Sequence, residues 1–265
     1  MTFVTSLPAS PHVIDASQHW AAHREPPARR TLLTAAASLA AAWLAGCSSA
    51  GLRTEAAPAS RPGSTPGTPK AAYQRLMEGN RRWVTNELQH PDRDPTRREL
   101  LATGQQPYAA VLSCIDSRVP PELVFDTGLG DLFVMRSGGT ALGPVVTGSV
   151  EYGPMTSGTP LIVVLGHQRC GAVAAAYKAL RDDEPLPGNL QAITHALRPA
   201  YEQAVRERSA DPIETMARAQ VKLTANALRG NRDLAPLVAK GDLAVVSAYY
   251  SLDTGQVEIL NGAPA

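Results

Sequence analysis

The sequence contains little of what nucleic-acid-binding proteins and disulfide-rich proteins need. Only 5% of its 265 residues are aromatic and its formal net charge is +1, so it offers neither a stacking platform for bases nor a basic surface for phosphates. Three cysteines are too few, and odd in number, for a disulfide framework. These scarcities argue against nucleic acid as a partner. They also mean that each cysteine needs its own explanation.

The N-terminal part has an uncharged stretch that is too short to cross a membrane as a helix. Residues 31–46 are rich in Ala and fall short of the ~20 residues that a bilayer span requires. They follow Arg29 and Arg30, which gives the positive region and the apolar region of an export signal. The sequence LAGC, ending at Cys47, resembles the lipobox of bacterial lipoproteins, and ARRTLL resembles a twin-arginine export signal. The lipobox resemblance implies that Cys47 is lipidated and becomes the new N-terminus.

Three regions of the chain are therefore expected to differ in role. Residues 1–47 are predicted to be an export signal, and residues 48–69, dense in Ser, Pro, Gly and Ala, a flexible tether. Residues 70–265 form the predicted folded domain. The expected location is periplasmic, with a lipid anchor to a membrane. Two alternatives remain open at this point: an uncleaved single-helix anchor, and a leader without function.

The folded part alternates apolar runs of strand length with longer segments. The runs are nearly continuous, which favours strands that are covered on both faces. The alternation predicts an α/β domain whose mostly parallel β-sheet is flanked by helices, and residues 243–260 read as a hairpin that adds an antiparallel edge strand. The predicted strands are 108–114, 131–137 and 160–167, and the predicted helices are 71–86, 141–157, 170–182 and 213–229.

Reactive side chains stand at the ends of two of the predicted strands. Cys114, Asp116 and Arg118 occupy every second position in SCIDSRVPPE, so an extended segment sends all three to one side. His167 and Cys170 lie three residues apart in GHQRCGAV at a strand-to-helix junction. Two thiolates and an imidazole are a zinc ligand set with room for a fourth donor. The alternative is a disulfide between Cys114 and Cys170, which would leave Asp116 and Arg118 without a purpose.

These motifs resemble those of the β-class carbonic anhydrases. CIDSRVPPE and GHQRCGAV match the two metal motifs of that family, and GDLFVMRSGG (130–139) and SVEYG (149–153) match in the same order with similar spacing. The resemblance covers roughly residues 70 to 260. It implies an α/β fold of four parallel strands with an added antiparallel edge, a homodimer that in many members pairs into a tetramer, and reversible hydration of CO2 to bicarbonate and a proton.

The resemblance also implies the roles of the reactive residues. Cys114, His167 and Cys170 would bind one Zn2+ per chain. Asp116 either binds zinc as the fourth ligand or pairs with Arg118 as a catalytic dyad, and in the second state a zinc-bound hydroxide attacks CO2. The planar guanidinium of Arg118 suits this role because it can bind a carboxylate through two hydrogen bonds.

Three further residues match positions that line the substrate pocket across the dimer interface of that family. They are Gln105, Phe133 and Tyr152, of which the two aromatic residues could equally be ordinary core. Ser137 departs from the family pattern, which has Asn there, and this puts the local hydrogen bonding in doubt. His195 is available as a proton shuttle, although a solvated histidine on a helix face is the plainer interpretation.

Two rival functions remain open from the sequence. The first is a related zinc hydrolysis of another heterocumulene, such as CS2, on the same scaffold. The second is a zinc-binding lipoprotein without catalysis, which would have no need of Asp116 and Arg118.

Overall fold

The computed structural model describes residues 65–265. The predicted export signal with Cys47, and the tether as far as residue 64, lie outside the described residues. None of the helices in the described range is long and apolar enough to span a membrane.

Eight α-helices and five strands make up the described part of the chain. The strands are β1 (Ala109–Cys114), β2 (Leu132–Ser137), β3 (Leu161–His167), β4 (Ala244–Tyr250) and β5 (Val257–Asn261). The helices are α1 (Pro69–Thr85), α2 (Pro95–Leu101), α3 (Pro121–Val124), α4 (Pro144–Ser157), α5 (Gly171–Asp182), α6 (Leu190–Glu207), α7 (Pro212–Arg229) and α8 (Ala235–Lys240), with a 3-10 turn at Gly138–Thr140.

The strands form one sheet in the order β2-β1-β3-β4-β5. The first four strands are parallel, and β5 pairs with β4 in the antiparallel direction. The predicted fold class, a mostly parallel sheet with an antiparallel edge strand between helices, is confirmed. Because β1 and β3 are parallel neighbours, their carboxyl ends meet at the same edge of the sheet.

Helices cover both faces of the sheet. Alternate residues of each strand point to opposite sides, so neighbouring residues of one strand enter different cores. Leu112 and Val164 belong to the core on the face covered by α5, α6 and α7, whereas Val111 and Val163 belong to the core on the face covered by α1. Strands β1 and β3 are buried along their whole length. This burial on both sides explains why their sequences show no alternation.

The ends of the helices follow from local sequence. Thr68 caps α1 by accepting a hydrogen bond from the N–H of Ala71, and Pro69 takes the first helical position. Asp211 and Pro212 start α7 in the same way. Helix α7 then buries an apolar stripe against β3 and β4, which fixes the strand that delivers His167.

One expectation from the sequence was wrong. Strand β2 was expected to be covered on both faces, but it is an edge strand whose residues are only partly buried. Helix α6 carries His195, which was expected on a helix face; the helix continues through Pro199 and packs against α5 and α7.

Candidate metal centre

The potential metal ligands come from two neighbouring strands and one helix start. Cys114 is the last residue of β1, His167 is the last residue of β3, and Cys170 is the N-cap of α5. All three are buried, and their ligand atoms lie within 4.8 Å of one another. The topology of the sheet thus brings together residues that are more than fifty positions apart in the sequence.

The two sulfur atoms are spaced as ligands of a single metal ion. Cys114 Sγ and Cys170 Sγ are 3.7 Å apart and both cysteines are free. A disulfide would require about 2.05 Å, so the disulfide alternative is not the one that the structure adopts. Two sulfurs at about 2.3 Å from one tetrahedral zinc are about 3.8 Å apart. The observed separation fits zinc.

The ring of His167 is oriented to offer one nitrogen as a ligand. Its Nδ1 lies 2.9 Å from the carbonyl oxygen of Gln168. An N–H at Nδ1 donates to that carbonyl, which leaves the lone pair of Nε2 free. Nε2 is buried and has no hydrogen-bond partner among the described residues. A buried acceptor without a partner is uncommon in folded proteins, and a metal ion would supply that partner.

Hydrogen bonds to the sulfur atoms shift the two thiol pKa values in opposite directions. A hydrogen bond from Cys170 is the main cause that lowers the pKa of Cys114; burial opposes it, and the His167 ring and the backbone N–H groups of Asp116 and Gly139 add to the lowering. The adjacent Cys114 sulfur, followed by burial, raises the pKa of Cys170. A cation bound by both sulfurs would take the place of the proton between them, because thiol ligands bind a metal in the deprotonated form.

Asp116 and Arg118 form a bidentate pair beside these ligands. Arg118 Nε donates to Asp116 Oδ1 at 2.8 Å, Nη2 donates to Oδ2 at 2.7 Å, and the backbone N–H of Arg118 donates to Oδ1 at 3.0 Å. These bonds hold the pKa of Asp116 well below its usual range. Asp116 Oδ2 lies 3.9 Å from His167 Nε2. The conformation is the one with Asp116 on Arg118; its binding to a metal as fourth ligand stays a prediction.

Sequence reasoning missed three residues that support the backbone around this site through hydrogen bonds without being metal-ligand candidates. Arg136 donates to the carbonyl of Cys114 at 2.8 Å and to the carbonyl of Asp116. Gln168 Oε1 accepts hydrogen bonds from the β4–β5 turn, and the carbonyl of Arg169 accepts one from Arg118 at 3.3 Å. All three lie within the quoted motifs, which was the available signal.

The departure at Ser137 has a local explanation. Ser137 Oγ donates to the carbonyl of Ala141 at 2.8 Å, and the carbonyl of Ser137 accepts from the N–H of Ile115 at 3.2 Å. The hydroxyl of Ser137 therefore finds its hydrogen-bond acceptor within the turn that follows β2. It does not contact the three metal-ligand candidates through these bonds.

The predicted pocket residues lie away from the metal ligands of their own chain. Phe133 and Tyr152 meet edge to face, with ring centroids 5.7 Å apart, in a groove of about 480 Å³ between β2 and α4. Phe133 precedes Ser137, the β2 neighbour of Cys114, by four residues, which is about 13 Å along a strand. Gln105 is exposed in the loop before β1 and does not line that groove. His195 is exposed on α6, as a solvated histidine would be.

Comparison with known proteins identifies the family. A family model described as carbonic anhydrase matches residues 109–257. The protein named carbonic anhydrase 2 of Mycobacterium tuberculosis is 38% identical over 188 residues, which cover 71% of this chain and 91% of that protein.

Solved structures of β-carbonic anhydrases share the fold. One from Aspergillus fumigatus is 26% identical with a TM-score of 0.56, and the match covers 73% of this chain and 92% of that one. A tetrameric one from Sordaria macrospora is 23% identical with a TM-score of 0.59, and the match covers 73% of this chain and 100% of that one. The family match, the relative and the fold agree with the buried cysteine–histidine set: the chain is an enzyme that belongs to the β-class carbonic anhydrases.

Proposed function

We propose that the chain catalyses the reversible hydration of CO2 to bicarbonate and a proton, with one zinc ion per chain. The observation that carries this proposal is the buried set of Cys114, His167 and Cys170 with an ionised carboxylate beside it. Membership of the carbonic anhydrase family supports the same reaction.

The donor set suits zinc in a catalytic role. Cys114 and Cys170 would bind through sulfur and His167 through Nε2, and soft sulfur with imidazole favours zinc over magnesium or calcium. Three protein ligands leave one position for exchange, as in catalytic zinc sites. When bound, zinc acts as a Lewis acid that lowers the pKa of water. Since two thiolates offset part of the metal charge, we expect the activity to keep rising into the alkaline range.

Asp116 and Arg118 would orient the attacking water. Oδ1 of Asp116 accepts two hydrogen bonds from Arg118 and Oδ2 accepts one, so Oδ2, on the side of His167, retains a lone pair. This oxygen can accept the proton of the water in a hydrogen bond and direct the water's lone pair at CO2. In a second state Asp116 would leave Arg118, bind zinc and exclude the water.

A second copy of the chain would complete the substrate pocket. We propose that Gln105, Phe133 and Tyr152 serve the site of a partner in a homodimer, which pairs further into a tetramer. The exposed side chains of Val145 and Tyr152 beside the edge strand β2 support an interface there. Sedimentation velocity should give at least a dimer. A monomer with full activity would contradict this part of the proposal.

Export and lipid attachment extend the proposal to the N-terminal region. We propose that residues 1–47 direct the chain to the periplasm, that Cys47 carries a lipid, and that residues 48–69 tether the enzymatic domain of residues 70–265. Replacing Cys47 by Ser should release the enzyme from the membrane fraction. Replacing Arg29 and Arg30 by Lys should block twin-arginine export, and export that persists would contradict that route.

Stopped-flow measurement of CO2 hydration from pH 6.5 to 9, with zinc quantified on the same sample, tests the reaction. Near-stoichiometric zinc with a rate that climbs with pH would support the proposal. Full zinc without hydration at any pH would contradict it. A panel that includes CS2 would then separate another substrate from a zinc lipoprotein without catalysis.

A further inference from the structure

Arg136 lies on the edge strand β2, and its guanidinium binds backbone carbonyls at the end of the neighbouring strand β1 and just beyond it. Nε donates to the carbonyl oxygen of Cys114 at 2.8 Å, and Nη2 donates to the carbonyl oxygen of Asp116. The two acceptors stand on either side of Ile115. An arginine keeps its charge at every working pH, so both bonds are charge-assisted and stronger than bonds between neutral groups.

Few other bonds fix the two carbonyls: that of Asp116 also accepts from the N–H of Val119 at 3.1 Å, and that of Cys114 from Ser113 Oγ at 3.5 Å. The segment leaves the buried strand β1 at Cys114, and the side chain of Ile115 is 60% exposed. The side chain of Ile115 therefore does not anchor the backbone by packing, and hydrogen bonds supply most of the restraint at this point. The N–H of Ile115 donates to the carbonyl of Ser137, and Arg136 binds the carbonyls before and after it.

We infer that Arg136 is a positioning residue for the reaction of this site. By binding the carbonyls of Cys114 and Asp116, it fixes the backbone that places the Asp116 carboxylate on Arg118 and 3.9 Å from His167 Nε2. The inference rests on the proposed function, since it assumes that Asp116 and Arg118 orient the reacting water. A lysine at this position would have one compact ammonium, which can serve one carbonyl well but cannot reproduce the planar fork.

The test compares three variants of the full, zinc-loaded chain. Arg136→Met keeps the length of the side chain and removes every donor. A displacement of about 1 Å at a reacting group costs about 100-fold in rate, so we expect kcat to fall by about 10- to 100-fold while KM changes little. Arg136→Lys should recover part of that loss. Should the Met variant not fold, the Lys variant alone must still lie clearly below the wild type.

Arg229 provides a matched control elsewhere in the sheet. It also uses Nε and Nη2 on a backbone carbonyl, that of Val245, at 3.0 and 2.6 Å, on the strand β4 and away from the site. Arg229→Met should lower the melting temperature but leave kcat within about twofold, because it disturbs no site segment. The inference is wrong if Arg136→Met keeps wild-type kcat, or if Arg229→Met loses as much kcat as Arg136→Met does.

A spectroscopic measurement separates this inference from the proposed function. The visible absorption of the full chain loaded with Co2+ reports the ligands of the metal, whether or not the protein hydrates CO2. Arg136→Met should change the spectrum, because a displaced Asp116 alters the surroundings of the metal, and Arg229→Met should not. An unchanged spectrum in Arg136→Met would overturn the inference. A changed spectrum in a chain that hydrates no CO2 would uphold the positioning role and refute the reaction.

Discussion

The two segments that supply the cysteine ligands are held in different ways. The segment of Cys170 is bound to the β4–β5 turn: Gln168 Oε1 accepts from the Oγ of Ser251 at 3.2 Å and from the N–H of Leu252 at 3.0 Å. The segment of Cys114 is bound by two arginines, Arg118 and Arg136, and the side chain of Arg118 is half exposed. The Cys170 segment is thus tied to a distant turn through a neutral amide, whereas the Cys114 segment is held by charged side chains, that of Arg118 within it and that of Arg136 on β2.

The way in which each segment is held matches the role that is proposed for it. Gln168 also offers the carbonyl that orients the ring of His167. The Cys170 segment therefore fixes two metal-ligand candidates and carries neither residue of the proposed Asp116–Arg118 dyad. The Cys114 segment adds Asp116, which would exchange hydrogen bonds during the proposed reaction. Ligands benefit from rigid support, whereas a group that changes partners needs neighbours that can release it.

The largest effect is expected from removing a ligand. Cys170→Ser replaces a soft sulfur by a hydroxyl, and zinc per chain should drop far below one, with loss of activity. Elemental analysis after gel filtration measures this. Cys47→Ser is the matched control, since the same substitution at a cysteine outside the described residues should leave zinc content unchanged. Unchanged zinc in Cys170→Ser would refute the ligand assignment.

A loss of activity without loss of metal is expected on the other segment. Asp116→Ala and Arg118→Ala leave all three ligands in place, so zinc should stay near one per chain. CO2 hydration should fall by about 100-fold or more, the usual size of a lost acid–base group. Stopped-flow assays with zinc analysis on the same samples would show it. Near-normal turnover in either variant would be evidence against the catalytic dyad.

A moderate effect is expected when the support of the Cys170 segment is cut. Gln168→Ala removes the acceptor of two hydrogen bonds, each of about 1 kcal/mol, and should lower the melting temperature by a few degrees. Because this support stands behind a ligand, zinc affinity should weaken by about tenfold, measured by competition with a chelating dye. Arg232→Met is the control, since it breaks only an exposed ion pair with Asp233. Equal losses of zinc affinity in both variants would contradict the supporting role of Gln168.

The smallest effect concerns the charge of Asp116. Its folded-state pKa lies below the unfolded value of about 3.9, so its pair with Arg118 stabilises the fold above that pH. The stabilisation is lost as the pH falls through the folded-state pKa. In Arg118→Met the pKa of Asp116 should rise towards its ordinary value, as the carboxyl carbon shift in NMR would show. An unchanged titration midpoint would mean that Arg118 does not set this pKa.

The sequence predicted the parts of the fold that depend on apolar patterning. Strands β1 and β3 are short runs buried on both sides, and runs of this kind predict both the strand and its end, where Cys114 and His167 stand. The hairpin of β4 and β5 was marked by Asp253-Thr254-Gly255. The fold class was predicted correctly for this reason.

The features that were missed depend on what lies beside an element in space. The apolar run of β2 looks like that of β3, and nothing within the run says that one is at the edge of the sheet. The role of Arg136 was invisible because its partners are backbone carbonyls, which every residue has. Gln168 was overlooked for a similar reason, since its partners lie in a turn more than eighty positions away.

The pairing of β1 with β3 determines the stage of folding at which the metal site can form. Contacts between residues so far apart in sequence form late in folding, because a long loop must close first. In an unfolded chain Cys114 is separated from His167 and Cys170 by more than fifty residues, so the three ligands do not form one site. Zinc binding would therefore select the completed sheet and stabilise it by mass action, so a compartment that supplies zinc also favours the folded chain.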